Sequence, residues 1–222
     1  MNKFFVIGIG YRPLDEKASN IIQRSDVILA TERLFDVFSR YREFEDVKNK
    51  LKVMGSIHET IEYIRGNYHK ENISVLADGD PMLFGFGKVV LKEFDKGAFE
   101  IFPDLSSIQM AFSRIKEAWG DAFLMSLHGG PDPTKRRKLE YEAGDIPKLL
   151  NVHDKIAVLT DRINNPSIIA QILLQSSAID IRVYVCERLG YPDEKITEGS
   201  PEEISAGAFS YPSVVIILKK RG

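Results

Sequence analysis

Short apolar runs that end in glycine, aspartate or serine alternate, along the whole chain, with segments whose apolar residues recur at helical spacing. Phe4-Phe5-Val6-Ile7-Gly8-Ile9-Gly10, Val27-Ile28-Leu29-Ala30, Ile73 to Ala77 and Phe99-Glu100-Ile101-Phe102 are runs of the first half. Phe123 to Leu127, Lys155 to Thr160, Ile181 to Cys186 and Val214 to Leu218 are those of the second. An unbroken apolar run suits a strand covered on both faces, as in a parallel sheet flanked by helices. The pattern therefore predicts an α/β protein. Phe4 to Ala30 forms one β-α-β unit of the expected length of about thirty residues. A count of about five strands in the first half and four in the second predicts two α/β lobes with mostly parallel central sheets. Lys116-Glu117-Ala118-Trp119-Gly120-Asp121 breaks the periodicity, so the lobes are expected at residues 1–115 and 116–222.

Local signals punctuate these runs. Asp15 to Arg24 reads as a helix with Ala18, Ile21 and Ile22 on one face, and Thr31 opens another. Residues 41–50 are charged and aperiodic and read as a surface connection. Leu51 to Met54 reads as a short strand. Ser56-Ile57-His58-Glu59 and Ser200-Pro201-Glu202-Glu203 have the spacing of capping boxes, the first opening a helix to about Asn67. Gly85 to Phe94 reads as a helix with Val89, Val90 and Phe94 inward. Asn164-Asn165-Pro166 starts a helix with proline at its first position and Ile168, Ile169, Ile172 and Leu173 apolar.

In open α/β sheets ligands bind beyond the carboxyl ends of the strands, so the run tips are the places to look for chemistry. Gly8-Ile9-Gly10 ends the first run, where glycine lets something approach the backbone closely. Pro13 stands where a dinucleotide fingerprint needs a third glycine, which argues against that reading. Val75 to Lys88 turns through Asp78-Gly79-Asp80-Pro81 into Met82-Leu83-Phe84-Gly85-Phe86-Gly87, placing two carboxylates beside glycine. An ordinary Asp-Gly turn stopped by Pro81 accounts for the same residues. Ser106-Ser107 follows the next tip and can cap a helix or donate to a ligand. His128 stands before Gly129-Gly130-Pro131, as a functional side chain or as a turn support. The run Lys135-Arg136-Arg137-Lys138 is a solvated face or a meeting place for a polyanion. His58 and His69 have no partner at metal spacing, and a metal site needs about three or four convergent donors, so none is expected.

Composition excludes broad classes. Thirty basic against 32 acidic residues leave a charge of −2, which points neither to a nucleic-acid coat nor to a membrane-surface anchor. No apolar stretch approaches the roughly 20 residues that cross a bilayer. The single cysteine, Cys186, lies in a strand-like run and suits a core thiol in a reducing cytoplasm. The first apolar run is too short for a signal sequence and is cut by Gly8, so a cytoplasmic protein is expected.

Taken in order, the tips Gly8-Ile9-Gly10, Gly79-Asp80-Pro81, Pro103 with Ser106-Ser107, Thr160-Asp161 and Glu187-Arg188-Leu189-Gly190 resemble the tetrapyrrole (precorrin) methylases. Within that family, Gly79 to Lys88 and Ser126-Leu127-His128-Gly129 are similar to the carbon-5 methylases of corrin synthesis. The resemblance implies the tetrapyrrole methylase fold, two α/β lobes with S-adenosylmethionine in the cleft between them, and no protein-bound metal. It implies cofactor contacts at Gly8, Gly10, Tyr11, Gly79, Asp80, Pro81, Leu83, Phe84, Ser106, Ser107, Thr160 and Leu189. An anionic tetrapyrrole substrate would be read by Arg12 and Arg136, with Arg33, Lys135 and Arg137 as further candidates, and His128 would orient it or accept a proton. A homodimer is implied, and, because the chain ends at Gly222, carbon-5 methylation alone, with a separate carbon-15 methylase and decarboxylase as pathway partner. Two departures stand out: Tyr11-Arg12 replaces the family's Pro-Gly at the first tip, and Asp104 replaces a glycine after Pro103. A diphthine-type or ribosomal-RNA methylase would share the fold. A non-catalytic S-adenosylmethionine-binding module is the reading from another class.

Overall fold

In a computed structural model, which describes residues 3–129, 139–175 and 180–220, the alternation resolves into two units, Met1–Ser106 and Ser107–Gly222. The first runs β1 (Phe4–Ile9), α1 (Glu16–Arg24), β2 (Val27–Ala30), α2 (Glu32–Phe38), α3 (Phe44–Val47), β3 (Leu51–Val53), α4 (Ile57–Asn67), β4 (Ile73–Asp78), α5 (Phe86–Glu93) and β5 (Phe99–Phe102). Its sheet has the order β3-β2-β4-β1-β5 and every pairing is parallel. Phe4, Val6, Leu29, Ile73, Val75 and Val90 form its core, and the Phe4 ring meets Phe94 edge-on at 4.9 Å. Each such side chain taken from water contributes on the order of 1.5–3 kcal/mol, so the apolar runs decide the fold of this unit.

Caps set the helix starts. The Asp15 carboxylate accepts from Ala18 N at 2.8 Å and the Thr31 hydroxyl from Leu34 N at 3.3 Å. At α4, Ser56 accepts from Glu59 N as the box requires, but Glu59 reaches one residue further back, to Gly55 N at 2.8 Å. Residues 41–50, expected as a surface connection, contain α3 and a 3-10 turn, with Glu43 and Val47 buried. The Phe44 ring packs at 5.5 Å on Phe35, and the buried Glu43 accepts from Ser19 Oγ at 2.7 Å. These contacts are long-range and leave no periodicity to read.

The second unit runs α6 (Ser107–Ile115), β6 (Phe123–Ser126), α7 (Ile146–Leu150), β7 (Lys155–Leu159), α8 (Pro166–Gln175), β8 (Ile181–Glu187), β9 (Lys195–Gly199), α9 (Pro201–Ser205) and β10 (Ser213–Lys219). The division between units falls ahead of α6. Ile108, Ala111 and Phe112 are buried, and the helix packs on β10 and β7.

The second sheet departs from the expected parallel arrangement. Its order is β6-β7-β10-β8-β9, and only β6 and β7 are parallel, the other three pairings being antiparallel. The link between β8 and β9 is too short for the crossover that parallel neighbours need, about a dozen residues or more. β9 is a fifth strand where four were expected. Lys195-Ile196-Thr197-Glu198-Gly199 is a polar edge strand, half-exposed along its length, and therefore lacks the apolar signal of a covered one. Cys186 lies fully buried in β8. Burial, reinforced by the charges of Glu194 and Glu187, pushes its thiol up to about 12, as suits a core residue.

Candidate active site

The strands β4, β1 and β5 lie side by side and in parallel, so their carboxyl ends deliver three loops to one edge of the first sheet. The tips are knitted together by backbone. Gly79 N donates to Ile9 O at 2.9 Å, and Asp104 N donates to Gly79 O at 3.1 Å. Two glycines make this approach possible. A Cβ on Gly8 would lie 1.9 Å from Gly79 O, and one on Gly79, at φ +50°, would lie 2.6 Å from Leu105 O. Gly10 differs. It has φ +141°, and a Cβ there would meet no described atom within 4 Å, so its backbone borders open space.

At the β4 tip, Asp80 Oδ1 accepts from Met82 N at 2.8 Å, and Leu83 N donates to Asp80 O at 3.1 Å. The turn reading of Asp-Gly-Asp-Pro is therefore realised, and it engages one oxygen of a part-exposed carboxylate. Pro81 is buried beneath the start of α5. Its carbonyl accepts from Gly87 N at 2.8 Å, which only glycines at 85 and 87 permit, since a Cβ on either would come within 2.8 Å of that oxygen. Leu83 and Phe84 are half-buried on the following turn, where Phe84 takes φ +57°. Asp78 pairs with Arg33, so this arginine serves the β4 tip.

The residues that depart from the family pattern form one cluster. Asp104, only 7% exposed, accepts from Tyr11 N at 2.7 Å, Arg12 N at 3.1 Å and Leu105 N at 2.7 Å, and pairs with Arg12 Nε at 2.8 Å. Tyr41, from the segment after α2, accepts the Gly10 N–H at 2.6 Å. A hollow of about 120 Å³ lies beside them, bordered by Gly8, Arg12, Asp15 and Asp104. Burial pushes the Tyr41 phenol up to about 12; the Gly10 N–H opposes that shift, and the Asp104 and Glu43 charges add to it. A phenol whose folded value exceeds the unfolded 10 keeps its proton better when folded, so its contribution to stability is complete below pH 10 and is lost as pH rises toward 12. Phenolate absorbance titrated in the folded protein should show a component near pH 12 that disappears in Tyr41→Phe, while the Tyr63 phenol, raised by burial and its bond to Glu71, still titrates late; an unchanged titration in that variant would contradict the placement.

Ser106 is buried at the residue before α6, and Ser107 is the helix's first residue. In the second unit the parallel tips of β6 and β7 are joined by Asp161. Its Oδ2 accepts from Gly129 N at 3.0 Å, and its Oδ1 from Ile163 N at 2.9 Å and Asn164 N at 2.7 Å. His128 is thereby fixed at the β6 tip, half-buried. Thr160 is turned to β10, its hydroxyl bonding Ser213 O at 2.7 Å. Leu189 is buried between Arg188 at φ +48° and Gly190 at φ +78°, in a turn whose Gly190 N donates to Glu194 at 2.8 Å while Arg114 grips the same carboxylate. A cavity of about 300 Å³ in this unit is bordered by Asp161, Arg162, Asn165, Phe209, Tyr211 and Ser213.

Arg136, with Gly130, Pro131, Lys135, Arg137 and Lys138, lies outside the described residues. Among the described residues no three His, Cys, Asp or Glu side chains converge as a metal site would require. No described helix is long and apolar enough to cross a membrane. Tyr41 and Asp161 went unrecognised as site supports. Asp161 had a signal, an aspartate at a strand tip ahead of Asn-Asn-Pro, whereas Tyr41 had none.

Comparison with known proteins identifies the family of the chain. Residues 3–205 match the family model for tetrapyrrole (corrin/porphyrin) methylases. A Methanocaldococcus jannaschii protein named as a probable cobalt-precorrin-7 C(5)-methyltransferase is 29% identical over 217 residues, covering 96% of both chains. A Sinorhizobium precorrin-6Y C(5,15)-methyltransferase (decarboxylating) is 32% identical over 125 residues, 56% of this chain and 28% of that one. Among solved structures, the precorrin-6Y methylase of Archaeoglobus fulgidus superposes with a TM-score of 0.70 at 22% identity, over 99% of both chains, and therefore speaks to the fold. With a family match across most of its length, the chain belongs to the tetrapyrrole (corrin/porphyrin) methylases and is an S-adenosylmethionine-dependent methyltransferase.

Proposed function

We propose that the protein methylates carbon 5 of a precorrin macrocycle, cobalt-bearing or metal-free, in cobalamin biosynthesis. The observation that carries this reading is the near full-length likeness to the M. jannaschii C(5)-methyltransferase, 96% of each chain. Likeness to diphthine synthase, with a TM-score of 0.68 at 14% identity, is one of fold and favours no rival substrate.

The first unit's tips fit the co-substrate in kind. Asp80 is anionic and part-exposed with one carboxylate oxygen engaged by its turn, and Gly10 leaves open space beside its backbone. Such a set suits a cation with a polar tail. When bound, S-adenosylmethionine supplies an activated methyl on a sulfonium, so the chain needs no nucleophile of its own. The residues proposed to hold it are Gly8, Gly10, Tyr11, Gly79, Asp80, Pro81, Leu83, Phe84, Ser106 and Ser107, with Thr160 and Leu189 carried over by the resemblance. Asp80 would stabilise positive charge in a site of reduced dielectric, where a charge pair is worth several-fold more than in water. Fixing both reactants is itself worth about 7–11 kcal/mol of barrier, which gives the rigid, backbone-knitted tips their purpose.

Substrate carboxylates call for arginine, whose planar fork matches them. Arg12 and Arg136 are proposed for that role and His128 for orientation or proton acceptance. A homodimer, a cytoplasmic setting and a separate carbon-15 methylase and decarboxylase belong to the same proposal; the Sinorhizobium relative, whose name carries both carbons, supports the last. The test is incubation with cobalt-precorrin and methyl-¹³C S-adenosylmethionine, with the new methyl located by NMR. One methyl at carbon 5 is expected; a methyl at another carbon would overturn the regiochemistry.

A further inference from the structure

The first strand tip carries its own anion. Tyr11 N, Arg12 N and Leu105 N converge on a nearly buried carboxylate, and Arg12 Nε completes the set. Converging backbone N–H groups of this kind form an anion-binding concavity, and here a side chain of the same unit fills it. The filling is specific in shape. Oδ2 faces Tyr11 N and Arg12 N, while Oδ1 faces Leu105 N and Arg12 Nε, so donors meet both oxygens. An amide in the same place would aim its NH2 group at an N–H whichever way it turned. Gly10 is pinned from another direction by the Tyr41 hydroxyl, and on its open side no described atom would lie within 4 Å of a Cβ.

We infer that Asp104 is the positioning residue of the first tip: its carboxylate holds Gly10 to Arg12 in the shape that receives S-adenosylmethionine and keeps external anions out of the concavity. Arg12 shares in this. Its guanidinium is tied through Nε to Asp104 and through Nη2 to Pro103 O at 3.4 Å, so it closes the tip with a side chain that is still 55% exposed. Tyr11, Arg12 and Asp104 thus form one bonded set: the Arg12 and Asp104 side chains pair with each other, Tyr11 joins through its backbone N–H, and the bare backbone at Gly10 is kept. The inference rests on the methyltransferase reading and adds a residue whose work is done through the backbone.

The test is calorimetry with S-adenosylhomocysteine on the full chain, wild type against Asp104→Ala and Asp104→Asn, with and without sodium formate, and with sodium chloride at equal ionic strength. Asp104→Ala is expected to bind at least tenfold more weakly and to regain most of that loss in formate but not in chloride, because a small carboxylate refits the vacated concavity. Asp104→Asn is expected to weaken binding without formate rescue, since the amide occupies the place. A residue with a merely structural role would not show that split. Binding by Asp104→Ala within twofold of wild type, or a loss that formate leaves untouched, would overturn the inference. Should Asp104→Ala fail to fold, Asp104→Asn carries the test, and wild-type affinity in that variant would overturn it. Absence of binding by the wild type would instead refute the methyltransferase reading, and with it this inference.

Discussion

Gly8→Ala is expected to destabilise the first unit severely. The added methyl would sit 1.9 Å from Gly79 O and 2.7 Å from Asp104 N, both backbone atoms of neighbouring tips with no flexible end to give way. To make room β1 must part from β4 and β5, stretching the Asp104 N to Gly79 O and Gly79 N to Ile9 O bonds, now 3.1 and 2.9 Å. Overpacking costs about 1–3 kcal/mol, and two weakened hydrogen bonds add about 1 kcal/mol each. The sum, roughly 3–5 kcal/mol, is a large fraction of a typical domain's total stability of about 5–15 kcal/mol. Gly97→Ala is the control, since a Cβ there meets nothing within 4 Å. Urea unfolding followed by circular dichroism should show the first variant strongly shifted and the control within about 0.5 kcal/mol of wild type. A Gly8→Ala protein that unfolds within about 1 kcal/mol of wild type, inside the lower end of the overpacking range, would contradict the close approach of the tips.

Asp161→Ala should have the largest effect in the second unit. Its carboxylate accepts from Gly129 N, Ile163 N and Asn164 N at 3.0, 2.9 and 2.7 Å, and is 5% exposed. Removal strands up to three backbone donors. Each buried donor left unmade costs about 1–3 kcal/mol, and with partial access of water the expected loss is about 3 kcal/mol. Asp161→Asn should cost about a third of that, because an amide oxygen facing Ile163 N and Asn164 N leaves only Gly129 N opposed. The same bond fixes the backbone that follows His128, so turnover should fall on the order of 10²-fold in the alanine variant, the usual penalty for a misplacement of about 1 Å. Denaturation midpoints and initial rates check both numbers. Full activity in Asp161→Ala would remove Asp161 as the link between the two tips.

What could be read in advance follows from the range of the interactions. The first sheet was legible because β1, β2 and β4 are covered on both faces and carry unbroken apolar runs. The second misled because its central strand β10 reads as apolar in either direction, and direction is decided by connections. β9 stayed hidden because an edge strand with half its surface in water needs no apolar residues. At the strand tips, Gly8, Gly79, Asp80 and Ser106 were visible as glycine, aspartate and serine at run ends. Asp104 was noticed only as a departure from the family, and its role was not legible, since its partners Tyr11 and Arg12 lie 93 and 92 residues away. Tyr41, 31 residues from Gly10, could be found only by folding the chain.

The central claim is that these strand tips serve methyl transfer to a tetrapyrrole. The purified protein should be given methyl-labelled S-adenosylmethionine together with a cobalt-precorrin pool, elongation factor and ribosomal RNA in one vessel, and the label followed into each fraction. Label in the macrocycle, lost in Gly8→Ala and retained in Gly97→Ala, is the predicted result. Label in protein or RNA with none in the macrocycle would contradict the account.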